Sequence, residues 1–249
     1  MALLTRPDGE TLAYTKLAPA ANMPTLVWLS GFKSDMSGSK ALAVKDQCEG
    51  AGWGYLAFDY FGHGESSGDF AKGTITRWRE DCLTAVDELS EGPLILVGSS
   101  MGGWMSLLTA LARKERVVGM VLLAPAPDFT SKLMWEELSD DAKDEIMTTG
   151  RWMRPNAYGE PYPITRELIE DGKTWNVLDG PIDLKVPVTI LQGKEDPDVP
   201  WGHALKLQDA LVTSDCDLHL IKDGEHRLSR ESDIARLLLE VRLMVERIS

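Results

Sequence analysis

The sequence predicts an α/β fold: a mostly parallel sheet covered by helices on both faces. Three observations carry this. Strand-length apolar runs alternate with helix-length amphipathic segments along most of the chain, the pattern of repeated βαβ units. The runs are almost continuously apolar, as in Leu94-Ile95-Leu96-Val97, which marks strands buried on both faces. A chain of 249 residues with 43% hydrophobic content is long enough to bury about three quarters of its unfolded surface. No internal repeat or low-complexity tract breaks the pattern, so one domain over residues 1–249 is expected.

Taken in order, residues 2–6 and 11–17 are short strand-like runs around Pro7-Asp8-Gly9-Glu10 and read as an antiparallel hairpin. Pro24 to Gly31 is a buried strand ending in glycine. Residues 39–51 form a helix with Ala41, Leu42, Val44 and Cys48 turned inward. Gly54 to Tyr60 is a strand, followed by the turn-rich segment Phe61 to Gly68. Trp78, Cys82, Ala85, Val86 and Leu89 fall on one helical stripe. The strand at Leu94 leads into a helix from about Met101 to Arg113, and Val117–Leu123 is the next strand. Residues 129–180 lose strand character and turn helical, acidic and aromatic, an insert placed to cap the site. Its apolar residues, Met134, Trp135, Leu138, Ile146, Met147, Trp152, Tyr158, Tyr162 and Trp175, are expected mostly to pack the insert onto the body, with a minority lining a pocket. Strand signals resume at Val186–Gly193, then a helix at 202–212 and a strand at 216–222. The last helix buries Ile234, Leu237, Leu238, Val241, Val245 and Ile248.

Composition excludes several function classes. Lys and Arg number 26 against 39 Asp and Glu, a formal net charge of −13, so phosphate-rich nucleic acid and anionic lipid surfaces are poor partners. Cys48, Cys82 and Cys216 are widely spaced, and no Cys-x-x-Cys or Cys/His cluster suggests a disulfide framework or a zinc site. No apolar run reaches the ~20 residues of a membrane span. The N-terminus lacks the apolar core and cleavage site of a secretory signal. A cytoplasmic protein with free thiols follows. No phosphate-binding loop, dinucleotide fingerprint or paired-histidine motif is present, so neither a cofactor nor a metal is expected.

The chemistry concentrates at Gly98-Ser99-Ser100-Met101-Gly102-Gly103. An apolar strand breaks here directly into a helix, in the frame G-x-S-x-G. That frame is the nucleophile elbow of α/β-hydrolases, in which the central serine sits on a strained turn with φ > 0 and small residues two positions either side let strand and helix approach. A serine hydroxyl needs a base, usually a histidine held by a carboxylate, and in this fold the chain order is Ser, then Asp or Glu, then His. Only His203, His219 and His226 follow Ser100. His226 lies in the loop after the last strand and is assigned as the base. His219 alternates with Leu218 and Leu220 inside a strand, and His203 opens a helix. His63 precedes the serine in a turn, where a structural hydrogen-bonding role is expected. The acid belongs at the end of an intervening strand; Lys194-Glu195-Asp196-Pro197-Asp198 supplies Asp196, with Asp128 as its main rival and Asp198 and Glu195 behind. The oxyanion donors are assigned to the backbone N–H of Met101, next after the serine, and of Phe32, in the loop Ser30-Gly31-Phe32-Lys33.

With these residues in place, the chain resembles an α/β-hydrolase from about residue 10 to 248. More narrowly, it is similar to the mycophenolic acid acyl-glucuronide esterase and palmitoyl-protein thioesterase type. That resemblance rests on Gly31 to Ala41, Phe58 to Ser66, Trp78 to Asp81, Gly92 to Trp104, Asp196 to Trp201, and His226-Arg227. It implies a serine esterase or thioesterase with Ser100, Asp196 and His226 as its triad, acting on a small ester or acyl thioester or on an S-acylated protein. The chain departs from the type in lacking the presequence of mitochondrial members, in having Ser30-Gly31 where many hydrolases have His-Gly, and in a poorer match over 129–180. The same triad also serves C–C bond hydrolases, cofactor-free haloperoxidases and peptidases. A non-catalytic receptor for a small ligand is the reading from a different class.

Overall fold

The computed structural model describes residues 1–155 and 160–248. Its eight-stranded sheet comprises β1 (Ala2–Thr5), β2 (Thr11–Leu17), β3 (Thr25–Leu29), β4 (Gly54–Phe58), β5 (Leu94–Ser99), β6 (Val117–Leu123), β9 (Val188–Gly193) and β10 (Cys216–Ile221). The spatial order is β1-β2-β4-β3-β5-β6-β9-β10. β1 and β2 form the expected hairpin and join β4 antiparallel, while every other pair is parallel.

Each central strand feeds two cores. In β3, Val27 and Leu29 join one apolar cluster and Leu26 and Trp28 the other. In β5, Leu94 and Leu96 divide from Ile95 and Val97 in the same way. This is the period-two alternation of a pleated strand buried on both sides. The first cluster lies under α2 (Ile75–Leu89), α3 (Met101–Ala112) and α7 (Trp201–Ala210); the second lies under α1 (Ser39–Ala51) and α8 (Glu231–Ile248). The α2 stripe packs as expected, with Trp78, Cys82, Ala85 and Val86 buried and Leu89 half-buried. Thr74 caps this helix by accepting from the Arg77 N–H at 3.1 Å.

Three expectations need correction. Leu42 is exposed, because the buried face of α1 runs through Ala41, Val44 and Cys48 and Leu42 stands one step off that i, i+3, i+7 line. Met147 is also exposed. The segment after β6 is not purely helical. It contains the wide turn Thr130–Met134, α4 (Trp135–Glu137), α5 (Asp140–Thr149), a hairpin of β7 (Arg151–Arg154) and β8 (Tyr162–Thr165), and α6 (Arg166–Lys173). Strands of four residues are too short to display a period, so the helical neighbours dominate the sequence pattern.

Polar ties lock this segment to the body. Asp171 accepts from the Thr76 N–H at 2.8 Å, and Trp175 Nε1 donates to Thr76 Oγ1 at 2.7 Å. Buried Asp128 accepts from the N–H groups of Val177 and Leu178 at 2.8 and 2.9 Å. Asp128, the rival acid, is therefore committed to the returning leg of the insert. Tyr158 lies outside the described residues.

Candidate active site

The parallel strands β3, β5, β6, β9 and β10 all point one way, so the loops leaving their carboxyl ends gather at one edge of the sheet. The chain runs from β3 outward to β4 and then returns to β5 on the other side of β3. That reversal creates the crevice where open α/β sheets place their ligands. Ser100 leaves β5 there, Phe32 leaves β3, Asp196 leaves β9 and His226 leaves β10.

Ser100 stands alone between β5 and α3 with φ 55° and ψ −119°, the strained turn that the sequence predicts, at a cost of about 1–3 kcal/mol. The flanking glycines explain how strand and helix come so close. A Cβ on Gly102 would strike the Leu29 carbonyl oxygen, and one on Gly98 would strike the Gly102 oxygen and Ser106 Oγ.

Ser100 Oγ lies 3.0 Å from His226 Nε2, and His226 Nδ1 lies 2.8 Å from Asp196 Oδ2. Asp196 also accepts from Gln192 Nε2 at 3.1 Å and, through Oδ1, from the N–H groups of Asp198 and Val199 at 2.9 and 2.8 Å. Burial opposes the charge on Asp196. Its bond to His226, the histidine's charge and the two backbone donors outweigh that and hold its pKa below the ordinary carboxylate value. The acceptor on Nδ1 directs the Nε2 lone pair to the serine proton.

The Phe32 and Met101 N–H groups have no protein acceptor among the described residues. Met101 opens α3, so its N–H is one of the four left unpaired at a helix start. Phe32 is caged by aromatic rings, with centroids 5.2 Å from Phe70, 5.7 Å from Trp78 and 5.4 Å from Phe129. The next residue, Lys33, has φ 57° and donates its N–H to His63 Nε2 at 3.1 Å. His63 Nδ1 then donates to the Phe61 oxygen at 3.1 Å. Burial holds His63 neutral, its pKa lowered to about 4, which this acceptor role requires. The structural role expected of His63 is thus to hold the loop that carries Phe32.

Two cavities meet at Ser100. The smaller, about 210 Å³, lies under the insert against Phe32, Phe129, Leu133, Met134 and Tyr162, with Glu137, Arg154 and Asp198 at its edge. The larger, about 480 Å³, opens on the other side between the loop after β3 and the start of α1. Of the insert's aromatic and apolar residues singled out in the sequence, Met134 and Tyr162 reach the first cavity, while Trp135, Leu138, Trp152 and Trp175 pack half-buried on the core.

Among the described residues, the side chains of the other candidates make no hydrogen bond to Ser100, His226 or Asp196. His203 is buried with Nε2 2.7 Å from the Pro127 oxygen. His219 sits 3.8 Å from Glu240 on β10. Glu195 and Asp198 are exposed. Donor atoms of Asp196, Asp198 and His226 fall within 4.8 Å of one another, but the Asp196–His226 bond already uses two of them. Sequence reasoning missed Gln192, Phe129 and Leu133. The last two follow Asp128 at i, i+4 spacing, a signal that was available. Gln192 is polar within an apolar strand and left no such trace.

The chain is similar to known proteins in both sequence and fold. The Hydrolase_4 family model, serine aminopeptidase, S33, matches residues 21–167. The chain is 36% identical over 251 residues to palmitoyl-protein thioesterase ABHD10, mitochondrial, of Bos taurus, covering 100% of this chain and 81% of that protein. Among solved structures, a putative hydrolase from Agrobacterium vitis S4 superposes with TM-score 0.93 at 45% identity, over 98% of this chain and 97% of that one. Mouse alpha/beta hydrolase domain-containing protein 10 superposes with TM-score 0.91 at 34% identity, over 100% and 99%. The chain belongs to the Hydrolase_4 family, has the α/β-hydrolase fold, and is a hydrolase.

Proposed function

We propose that this protein is a serine hydrolase that cleaves carboxylic esters or thioesters through an acyl-serine intermediate. The carrying observation is the relay Ser100 Oγ–His226 Nε2–Asp196, at 3.0 and 2.8 Å, beside two free backbone N–H groups. His226 takes the Ser100 proton as Oγ attacks the acyl carbon. The tetrahedral oxyanion receives the Phe32 and Met101 N–H groups, each worth about 3 kcal/mol. His226 returns the proton to the departing alcohol or thiol, then activates water to release the acid. Asp196 keeps the imidazole in the productive tautomer.

The acyl group enters the cavity under the insert, and segment 129–180 acts as a cap on one α/β-hydrolase domain. That cavity, about 210 Å³, and the neighbouring one, about 480 Å³, are both lined by Ser100 and His226. The names of the curated relatives support the thioester reading. The three free cysteines support a reducing compartment, cytoplasmic or, as in the relatives' names, mitochondrial.

Purified protein should be labelled by a fluorophosphonate probe, and Ser100→Ala should not. A panel of p-nitrophenyl esters of graded length, acyl-CoAs, S-acyl peptides and acyl glucuronides identifies the substrate class. No labelling of well-folded wild type, or turnover of C–C or peptide substrates alone, would overturn the reading.

A further inference from the structure

Lys40 is the second residue of α1, far in sequence from both segments that its side chain joins. Its Nζ donates to Ser99 Oγ at 3.1 Å and to the Arg227 carbonyl oxygen. Ser99 immediately precedes Ser100, and Arg227 immediately follows His226. Each joined segment holds a non-glycine residue at positive φ: Ser100 at 55° and buried Leu228 at 43°. Such backbone persists only where surrounding contacts over-determine it.

Charge pairing does not account for the lysine's position. No carboxylate lies within ion-pair distance of Nζ among the described residues. The charges that face it are Arg227 and Glu225 on the histidine loop and Asp233 on α8. Burial, followed by the Arg227 charge, lowers its pKa to about 8. Lys40 is half-buried at the wall of the larger cavity; a partly desolvated ammonium is unfavourable without compensating bonds, and a hydroxyl and a carbonyl are its protein acceptors here. Both belong to the segments that carry the reacting side chains.

We propose that Lys40 is a positioning residue that bridges the serine turn and the histidine loop and keeps Ser100 Oγ and His226 Nε2 within bonding distance. This rests on the reading of Ser100 and His226 as nucleophile and base. A small displacement between the two groups is enough to lower turnover by about 100-fold.

Kinetics on p-nitrophenyl acetate and the rate of fluorophosphonate labelling test the bridge. Lys40→Met should lower kcat about 10- to 100-fold with KM changed less than about twofold, and should slow labelling by the same factor. Lys40→Arg, which keeps charge and donors, should recover part of the loss. Ser99→Ala removes one acceptor and serves as a second probe of the bridge should Lys40→Met fail to fold. In the Ser99→Ala background, Lys40→Met should cost less than it does alone, because the bridge is already broken. Folded Lys40→Met with unchanged kcat and labelling rate overturns the proposal, as does a rise in KM alone, which would assign Lys40 to substrate binding. Wild type that resists labelling like Ser100→Ala overturns the triad reading itself, whereas wild type and Lys40→Met labelled at equal rates overturn the bridge alone.

Discussion

Replacing Asp196 by Asn tests the proposed acid without changing side-chain volume. The two backbone donors at Oδ1, from Asp198 and Val199, force the amide oxygen into that position. The new NH2 then faces His226 Nδ1 and Gln192 Nε2. Gln192 cannot turn over freely to accept from it, because its Nε2 also donates to the Gly193 and Val199 oxygens at 3.1 and 3.0 Å. His226 must therefore accept at Nδ1 and carry its hydrogen on Nε2, where it can no longer take the serine proton. The expected loss in kcat is about 10⁴-fold, or about 5 kcal/mol of transition-state stabilisation. kcat/KM on a p-nitrophenyl ester and the labelling rate measure it, with a thermal melt to verify folding. Asp128→Asn is the matched control. It disturbs the bonds to Val177 and Leu178, so it should cost about 1–3 kcal/mol of stability and leave the chemistry intact. Near-full activity in Asp196→Asn together with its loss in folded Asp128→Asn would refute the assignment.

Three further outcomes follow from the same contacts. Gly102→Ala places a Cβ against the Leu29 carbonyl, a backbone obstacle; it should destabilise by about 1–3 kcal/mol or more and abolish activity, read by melting and turnover. His63 is buried and neutral with its pKa lowered to about 4, so the unfolded chain binds a proton that the folded chain refuses as pH falls below about 6.5. Stability should therefore be unaffected above pH 6.5 and decline by about 3 kcal/mol between pH 6.5 and 4, a dependence that His63→Phe should reduce in melts across that range. Leu133→Ala enlarges the cavity under the insert and should raise relative kcat/KM for longer acyl chains by about fourfold for each further methylene accommodated; an unchanged chain-length profile would place the acyl group elsewhere.

The sequence alone determined the architecture of this protein because its signals are local. Continuous apolar strands such as Leu94–Val97, the Trp78–Val86 helical stripe and the abrupt strand-to-helix break at Gly98–Gly103 each write their periodicity or steric demand within a few residues. The order of Ser100, Asp196 and His226 along the chain was legible for the same reason, since each follows a recognisable strand. What only the tertiary structure decided are the long-range pairings. The side chain that faces His226 is Asp196, and Asp128 binds Val177 and Leu178 instead, because β9 and β10 are neighbours whose carboxyl ends lie together. Phe32 and Met101 line one cavity only because the chain reverses direction across β3. Lys40 reaches the serine turn and the histidine loop only because α1 packs on the sheet face beside both. Such contacts join residues tens to hundreds of positions apart, and no local period records them.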